Sequence, residues 1–518
     1  MKYTIFLWLL IAGISCKQEV ESPPNILFIM SDDHTSQAWG VYGGLLEEYA
    51  KNDNIKRLVN EGALLKNVFA TNSICVPSRG SILTGKYSHQ NNIYSLSDSL
   101  SPDSMNIAKA LKGGGYETAI IGKWHLQKEP TGFDHYMVLP GQGVYNDPRL
   151  KTKDNWQDGN KGGKVYQGFS ADVIGDQSVK WLKERDSEQP FFLMTHFKST
   201  HEPFDYPKRY EDFLADVAIE EPKDLLDFSP STNDRSFIGQ KLWILHERWL
   251  ADQENMSQTR YPGLPINTTG MDSIEIRQFT YQKFVKDFLR CGAAIDDNIG
   301  KLLDHLEKTG QAENTVVIYT ADQGYFLGEH GMFDKRMFYE EAMRMPFVIR
   351  YPKEIKAGSS IEDIILNLDF PALFADYAGI GKQAFVEGRS FRSNLRGDTP
   401  TDWRRSMYYR YWLHRVERPA HFAIRDDRYK LGFFYGLPLD ISGAMQQRTD
   451  PAWEFYDLGL DPDESRNAYD DPQYSDIIAG LKKELTELRR EVGDTDEQYP
   501  EMVELLNEFW DNGSSYNN

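Results

Sequence analysis

Short apolar and β-branched runs recur along this 518-residue chain, separated by longer stretches whose apolar residues repeat at helical spacing. Asn25 to Met30, Thr118 to Ile121, Phe191 to Phe197, Thr315 to Thr320 and Pro346 to Arg350 predict buried strands. Strands that alternate with amphipathic segments imply a mostly parallel sheet covered by helices on both faces. The expected fold class is therefore α/β, with a large mixed sheet. In open sheets of this kind ligands bind beyond the carboxyl ends of the strands, so the polar residues at those ends draw attention first.

The pattern changes near Gly381. Ser406 to Trp412, His421 to Arg425 and Tyr429 to Phe434 predict antiparallel strands, followed by Tyr456-Asp457-Leu458 and Asp461-Pro462-Asp463-Glu464. A helix comes next, with Ile477, Ile478, Leu481, Leu485, Leu488 and Val492 as an apolar docking stripe. The chain thus divides into a large unit over 25–380 and a smaller C-terminal α+β subdomain over 381–518.

The N-terminus has its own organisation. Met1-Lys2 and the apolar run Ile5 to Ala12 form a charged start and a hydrophobic segment too short to span a bilayer, which predicts an export signal over 1–16. It ends at Gly13-Ile14-Ser15-Cys16, resembling a bacterial lipobox in which Gly13 replaces the usual leucine. Lipidation of Cys16 is expected, with plain secretion as the alternative, and 17–24 reads as a tether. Any membrane association would then run through that lipid, in the periplasm or at the cell membrane. Cys75 and Cys291 are the only other cysteines, so no disulfide framework is available.

With 58 basic against 78 acidic residues the net charge is -20, which excludes nucleic acid as a partner. An anionic substrate is still compatible, because binding it needs only a local cluster of cations or a metal. Two acidic or acid-amide pairs close strands: Asp32-Asp33 after the first, and Asp322-Gln323 after Thr315 to Thr320. Their oxygens could converge on calcium or magnesium rather than zinc. In isolation, ordinary turn chemistry is the better explanation of each pair.

Cys75-Val76-Pro77-Ser78-Arg79-Gly80-Ser81-Ile82-Leu83-Thr84-Gly85 reads C-x-P-S-R-x-x-x-x-T-G and precedes a predicted helix, Ser78 to Lys86. Pro77 suits the start of that helix, whose free N-H groups and dipole favour an anion. The stretch resembles the signature of the type I sulfatases, and the likeness extends over nearly the whole chain after the tether. It implies an alkaline phosphatase-like fold and the oxidation of Cys75 to formylglycine (3-oxoalanine). A formylglycine-generating or anaerobic sulfatase-maturating enzyme would carry out that oxidation, and the hydrated aldehyde would attack a sulfate ester.

The resemblance also assigns residues. Asp32, Asp33, Asp322, Gln323 and the modified Cys75 match the ligands of one calcium ion, with Gln323 keeping an amide oxygen where asparagine is commoner. Ile121-Gly122-Lys123-Trp124-His125 resembles the family's G-K-W-H segment, in which the lysine binds sulfate and the histidine restores the aldehyde. His201 and Lys335 match the groups that protonate the leaving oxygen and bind sulfate, and Asp322 would accept the nucleophile's proton. Arg79 and His89, one and about three helical turns beyond Cys75, match residues that orient it.

Substrate identity is less legible. Segment 204–272 looks like an insertion beside His201 that could line a glycan subsite with Trp412, His414 and Arg415; Trp243, Leu245 and Trp249, at helical spacing, read as core. The overall pattern is similar to bacterial polysaccharide sulfatases of the ulvan-active type, so a sulfated polysaccharide or its oligosaccharides is the expected substrate. An N-acetylglucosamine-6-sulfatase acting on mucin or glycosaminoglycan is a close rival. A phosphodiesterase or phosphonate hydrolase, and an inactive glycan-binding lipoprotein, complete the alternatives.

Overall fold

In the computed structural model, which describes residues 22–186, 188–226, 241–254 and 263–513, the first strand is apolar at every position from Ile26 to Met30 because both its faces are covered. The export segment, Cys16 and most of the tether lie outside the described residues, as does part of the expected insertion. No described helix is long and apolar enough to cross a membrane.

The main sheet comprises β1 (Asn25–Asp32), β2 (Ala63–Leu65), β3 (Glu117–Lys123), β4 (His135–Leu139), β5 (Phe191–Thr200), β6 (Thr315–Ala321), β7 (Phe347–Arg350) and β8 (Ser359–Ile361). They lie in the order β8-β2-β7-β6-β1-β5-β3-β4. β1 is parallel to β5 and β6, and β3 to β4 and β5; β7 alone runs against its neighbours β6 and β2. Ile26, Phe28 and Met30 pack on one face with Ile82, Leu111, Phe370 and Phe374. Leu27 and Ile29 pack on the other with Ile55, Ile174, Ile295 and Leu302, which come from helices Asp53–Glu61, Ser170–Glu184 and Ser273–Lys308. A strand clad on both sides has no polar face to display, hence its unbroken apolar run.

Several strands run further than their apolar cores suggest. β1 continues to Asp32, β3 to Lys123 and β5 to Thr200, so polar groups occupy the last rungs of the sheet rather than the loops beyond it. The helix expected from Ser78 to Lys86 instead spans Cys75–Thr84, with Ile74 extended before it and Gly85 left-handed (φ 65) after it. Cys75 therefore opens the first turn instead of preceding the helix.

The C-terminal sheet is antiparallel, β9 (Ser406–Tyr411), β10 (His421–Asp426), β11 (Tyr429–Phe434) and β12 (Ala452–Asp457), in that order. Helix Ser475–Glu491 docks on it through Ile478, Leu481 and Leu485. Two buried ionic clusters secure this subdomain. Arg410 meets Asp494 and Asp496 at 2.7 and 2.8 Å, while Glu340 meets Arg425 at 3.2 Å and Lys430 at 3.0 Å. The second cluster joins the C-terminal sheet to the segment that follows Lys335.

One glycine sets the approach of two strands at the site. Gly122, with φ 114, faces His196 across the β3–β5 pair, and a Cβ there would lie 1.9 Å from the His196 carbonyl oxygen. Only hydrogen fits, and the backbone angle is one that side chains disfavour. Gly122→Ala is expected to destabilise the fold by about 2–4 kcal/mol, read as a lower urea midpoint; an unchanged midpoint would reject this account.

Candidate active site

The site forms where β1, β3, β5 and β6 end and where the helix Cys75–Thr84 begins. Asp33 leaves β1 in the left-handed region (φ 66), which turns its backbone N-H toward Asp322, whose Oδ1 accepts at 3.0 Å. Cys75 is 1% exposed, and its Sγ lies 3.9 Å from Asp33 Oδ1. Ser78, one turn on, donates to the Asp322 carbonyl and accepts from Asn367 at 2.9 Å.

Arg79 connects the elements. Its Nε donates to Asp322 Oδ2 at 3.0 Å, its Nη1 to the Lys123 carbonyl at 2.9 Å, and its Nη2 lies 3.5 Å from Asp32 Oδ1. Lys123 Nζ pairs with Asp32 Oδ2 and donates to Gln142 Oε1 at 2.5 Å. Lys335 pairs with Asp33 Oδ1, which also accepts from Gln323 Nε2. Three buried carboxylates and three buried cations are thus interleaved. Such a set is tolerable out of water because each charge has an opposite partner.

The charges shift one another. Burial would raise Asp32, but Lys123, His201, Arg79 and Lys335 hold it well below the usual carboxylate range. Asp33 is pushed up to about 6 by burial, with Lys335 opposing and Asp32 and Asp322 adding to the rise. Burial also drives the Cys75 thiol up, away from thiolate, so the unmodified side chain is a poor nucleophile here. His125 is held neutral by burial and by Lys123, and its Nδ1 has no hydrogen-bond partner. His201 is also depressed by burial. Its Nδ1 donates to the Glu202 carbonyl at 2.8 Å, and its Nε2 lies 3.8 Å from Asp33 Oδ2.

A divalent cation fits this donor set. Asp32, Cys75 and Asp322 bring one ligand atom each within 4.8 Å of one another. Gln323 Oε1 is buried without a hydrogen-bond donor, an arrangement that a hard cation beside it would complete. Asp33 lies in the same cluster, joined to Gln323, Lys335 and Cys75.

The structure therefore gathers Asp32, Asp33, Cys75, Arg79, Lys123, His125, His201, Asp322, Gln323 and Lys335. It corrects three other expectations. His89 does not reach Cys75, because the left-handed Gly85 ends the helix and redirects the chain; its Nε2 donates to the Val492 carbonyl at 2.8 Å. Trp412 is 1% exposed beneath the Arg410 guanidinium, 3.6 Å from its ring. His414 is fully buried, accepting from Ala420 N at 3.3 Å and donating to the Gln447 carbonyl at 2.8 Å. Neither ring is open to a sugar. Arg415 lies half-buried in a loop closed by backbone bonds to Arg418. Of the aromatic stripe, Leu245 and Trp249 are core, whereas Trp243 is 43% exposed.

Two neighbours of Lys123 escaped sequence reasoning. Gln142 sits in a glycine-rich turn after β4, and His196, whose Nδ1 donates to the Lys123 carbonyl at 3.1 Å, is hidden inside the apolar run of β5. Neither carries a local signal of pairing with a lysine.

A family model described as Sulfatase matches residues 24–380, and one described as N-sulphoglucosamine sulphohydrolase, C-terminal, matches residues 328–491. An N-acetylglucosamine-6-O-sulfatase of Bacteroides thetaiotaomicron is 36% identical over 94% of this chain and 90% of its own length. The ulvan-active sulfatase of Formosa agariphila is 23% identical over 93% of this chain and 85% of its own. Among solved structures, BT4656 in complex with its substrate D-glucosamine-2-N,6-O-disulfate superposes with a TM-score of 0.83 at 34% identity, over 92% of this chain and 100% of that one. With the first model covering most of the chain and the site complete at the sheet's carboxyl edge, this protein belongs to the sulfatase family and is a sulfuric ester hydrolase with the alkaline phosphatase-like fold.

Proposed function

We propose that this chain is an exported sulfatase that removes the 6-O-sulfate of a glucosamine residue in a sulfated glycan, with Cys75 converted to formylglycine and one calcium ion held by Asp32, Asp33, Asp322 and Gln323. The supporting observation is the joint one: an enclosed anion cradle beside Cys75, in a chain 34% identical, almost end to end, to a protein solved with a 6-O-sulfated glucosamine. Export rests on the N-terminal segment, and Cys16 would carry a lipid that keeps the enzyme at the cell membrane or in the periplasm.

When in place, the modified residue 75 supplies an oxygen nucleophile with a second hydroxyl on the same carbon, and the cation acidifies it and offsets the ester's charge. The chain's own groups do the rest. Arg79 is locked in orientation by Asp322 and the Lys123 carbonyl, so its position does not depend on substrate. Lys123 and Lys335, paired with Asp32 and Asp33, would offer their remaining N-H donors to the sulfate oxygens. With Nδ1-H engaged by the Glu202 carbonyl, neutral His201 carries no proton on Nε2; it can protonate the departing sugar oxygen only after Nε2, 3.8 Å from the Asp33 carboxyl, has taken one up. His125, neutral and with Nδ1 unpaired, can take a proton on the nucleophile side.

The substrate reading leads to a direct comparison. Protein of verified formylglycine content should turn over glucosamine 6-O-sulfate with a kcat/KM about a hundredfold or more above that for ulvan oligosaccharides, the discrimination expected of a site with groups placed for its own substrate. Faster turnover of ulvan fragments would revive the polysaccharide alternative, and faster turnover of phosphate or phosphonate esters would reject the sulfatase reading. Cys75→Ser should melt normally while its steady-state rate falls by about a thousandfold or more, since serine lacks the second hydroxyl; near-normal rates would refute the role of residue 75. Gln323→Leu should bind calcium about tenfold or more weakly, followed by titration of the metal-free protein; unchanged affinity would remove Gln323 from the ligand set.

A further inference from the structure

Seven lysines of the described residues are buried, and six of them reach an oxygen. Lys123, Lys335 and Lys430 meet carboxylates, while Lys151, Lys241 and Lys482 donate to backbone carbonyls. Lys198 is the exception. It is 3% exposed on β5, three residues before His201, and has neither ion pair nor hydrogen bond among the described residues. Its neighbour across the space is the face of Tyr145, 4.7 Å from Nζ to the ring centroid. A ring face attracts a cation but satisfies none of its three N-H donors.

The surroundings say what the missing partner is. Tyr145 donates its hydroxyl to the His201 carbonyl at 2.5 Å, so the ring that carries Lys198 also braces the loop of the leaving-group acid. Gln142, three residues earlier in the same loop, holds Lys123. Lys198 thus shares Tyr145 with the His201 loop, and the loop that carries Tyr145 also carries the Gln142 partner of Lys123. Burial, then the Lys123 charge, lowers its pKa to about 8, against the pull of Asp32 and Asp33, so it stays mostly protonated at neutral pH. Ser199 and Thr200, next on the strand, also have buried hydroxyls without partners. A run of polar groups unpaired at a strand end is rare in a folded protein and calls for a ligand or a specific purpose.

We propose that Lys198 is a third anion-binding lysine of this site, whose ammonium donates to an oxyanion of the bound substrate: the sulfate being removed or an anionic substituent beside it. A buried cation without a contact partner, its charge met by Asp32, Asp33 and Asp205 only at a distance, destabilises the free protein, and such local instability is characteristic of groups kept for binding. The inference deepens the sulfatase reading and rests on it.

Lys198→Met keeps the length and the apolar stem while deleting the charge, and Lys198→Arg keeps the charge. In the full chain, the Met variant should melt no lower than wild type, and its stabilisation by inorganic sulfate should shrink. KM for glucosamine 6-O-sulfate or its 2-N,6-O-disulfate should rise about tenfold or more, as for loss of one charge-assisted hydrogen bond, with kcat changed far less and the Arg variant closer to wild type. A weaker response to inorganic sulfate would place Lys198 on the departing group; a KM change confined to the disulfate would place it on the neighbouring substituent. Unchanged sulfate protection together with unchanged KM for both sugars would overturn the proposal, and a lowered melting temperature in that case would assign the ammonium to packing on Tyr145. Sulfate protection of the wild-type chain needs no turnover, so absence of sulfatase activity would defeat the proposed function while leaving this readout interpretable.

Discussion

Arg79 is the tie on which the site depends. One guanidinium holds Asp322 from β6, lies against Asp32 from β1 and caps the last carbonyl of β3, and it does so from the first turns of the helix that Cys75 opens. Its planar fork suits that task in a way a lysine could not, because several donors leave a single rigid plane. Lys123 and Lys335 complete the compensation of the buried carboxylates. Removing any one partner would leave an opposite charge stranded out of water, a loss of about 3–5 kcal/mol. The arrangement is therefore all or nothing, which is what a site with fixed geometry requires.

The rest of the fold makes that rigidity affordable. Two thick apolar layers clamp β1, β5 and β6, so strand ends can carry charges and strained backbone without fraying. Asp33, His125, Asp334 and Arg336 all have positive φ, at 66, 57, 79 and 90°, a concentration of unfavourable conformations around one locus. Strain of this kind persists where surrounding packing over-determines it, and it aims side chains that regular strands could not. The C-terminal subdomain adds a clamp from the other side, through the Glu340 cluster and the bond from His89 to Val492. His89 is thus a structural link between the two units.

Local charge and overall charge have separate roles. The chain carries a net charge of -20, while Arg79, Lys123 and Lys335 are gathered on the carboxylates at the ends of the sheet. Asp32, Asp33 and Asp322 balance those cations, so an anion there is held by placed N-H donors and by any cation the carboxylates bind, while the distant acidic surface is screened by water and salt.

Much was legible in the chain itself. Unbroken apolar runs announced β1, β5 and β6 because a strand covered on both faces leaves that trace, and the Cys75 motif with Asp32, Asp33, Asp322 and Gln323 pointed to the chemistry before any fold was known. The antiparallel course of β7, the extension of β1, β3 and β5 into polar residues, and the burial of Trp412 and His414 were not legible, since identical residues read the same on a surface or in a core. His89 misled because helical spacing was continued through Gly85, where a left-handed residue ends it. Lys198 gave no signal at all: lacking a partner is a property of surroundings. Periodicity and turn chemistry are set by residues a few places apart, and those the sequence determined; Arg79 and Asp322 are 243 residues apart, and only the tertiary structure decides which charges, so widely separated, share one water-free space.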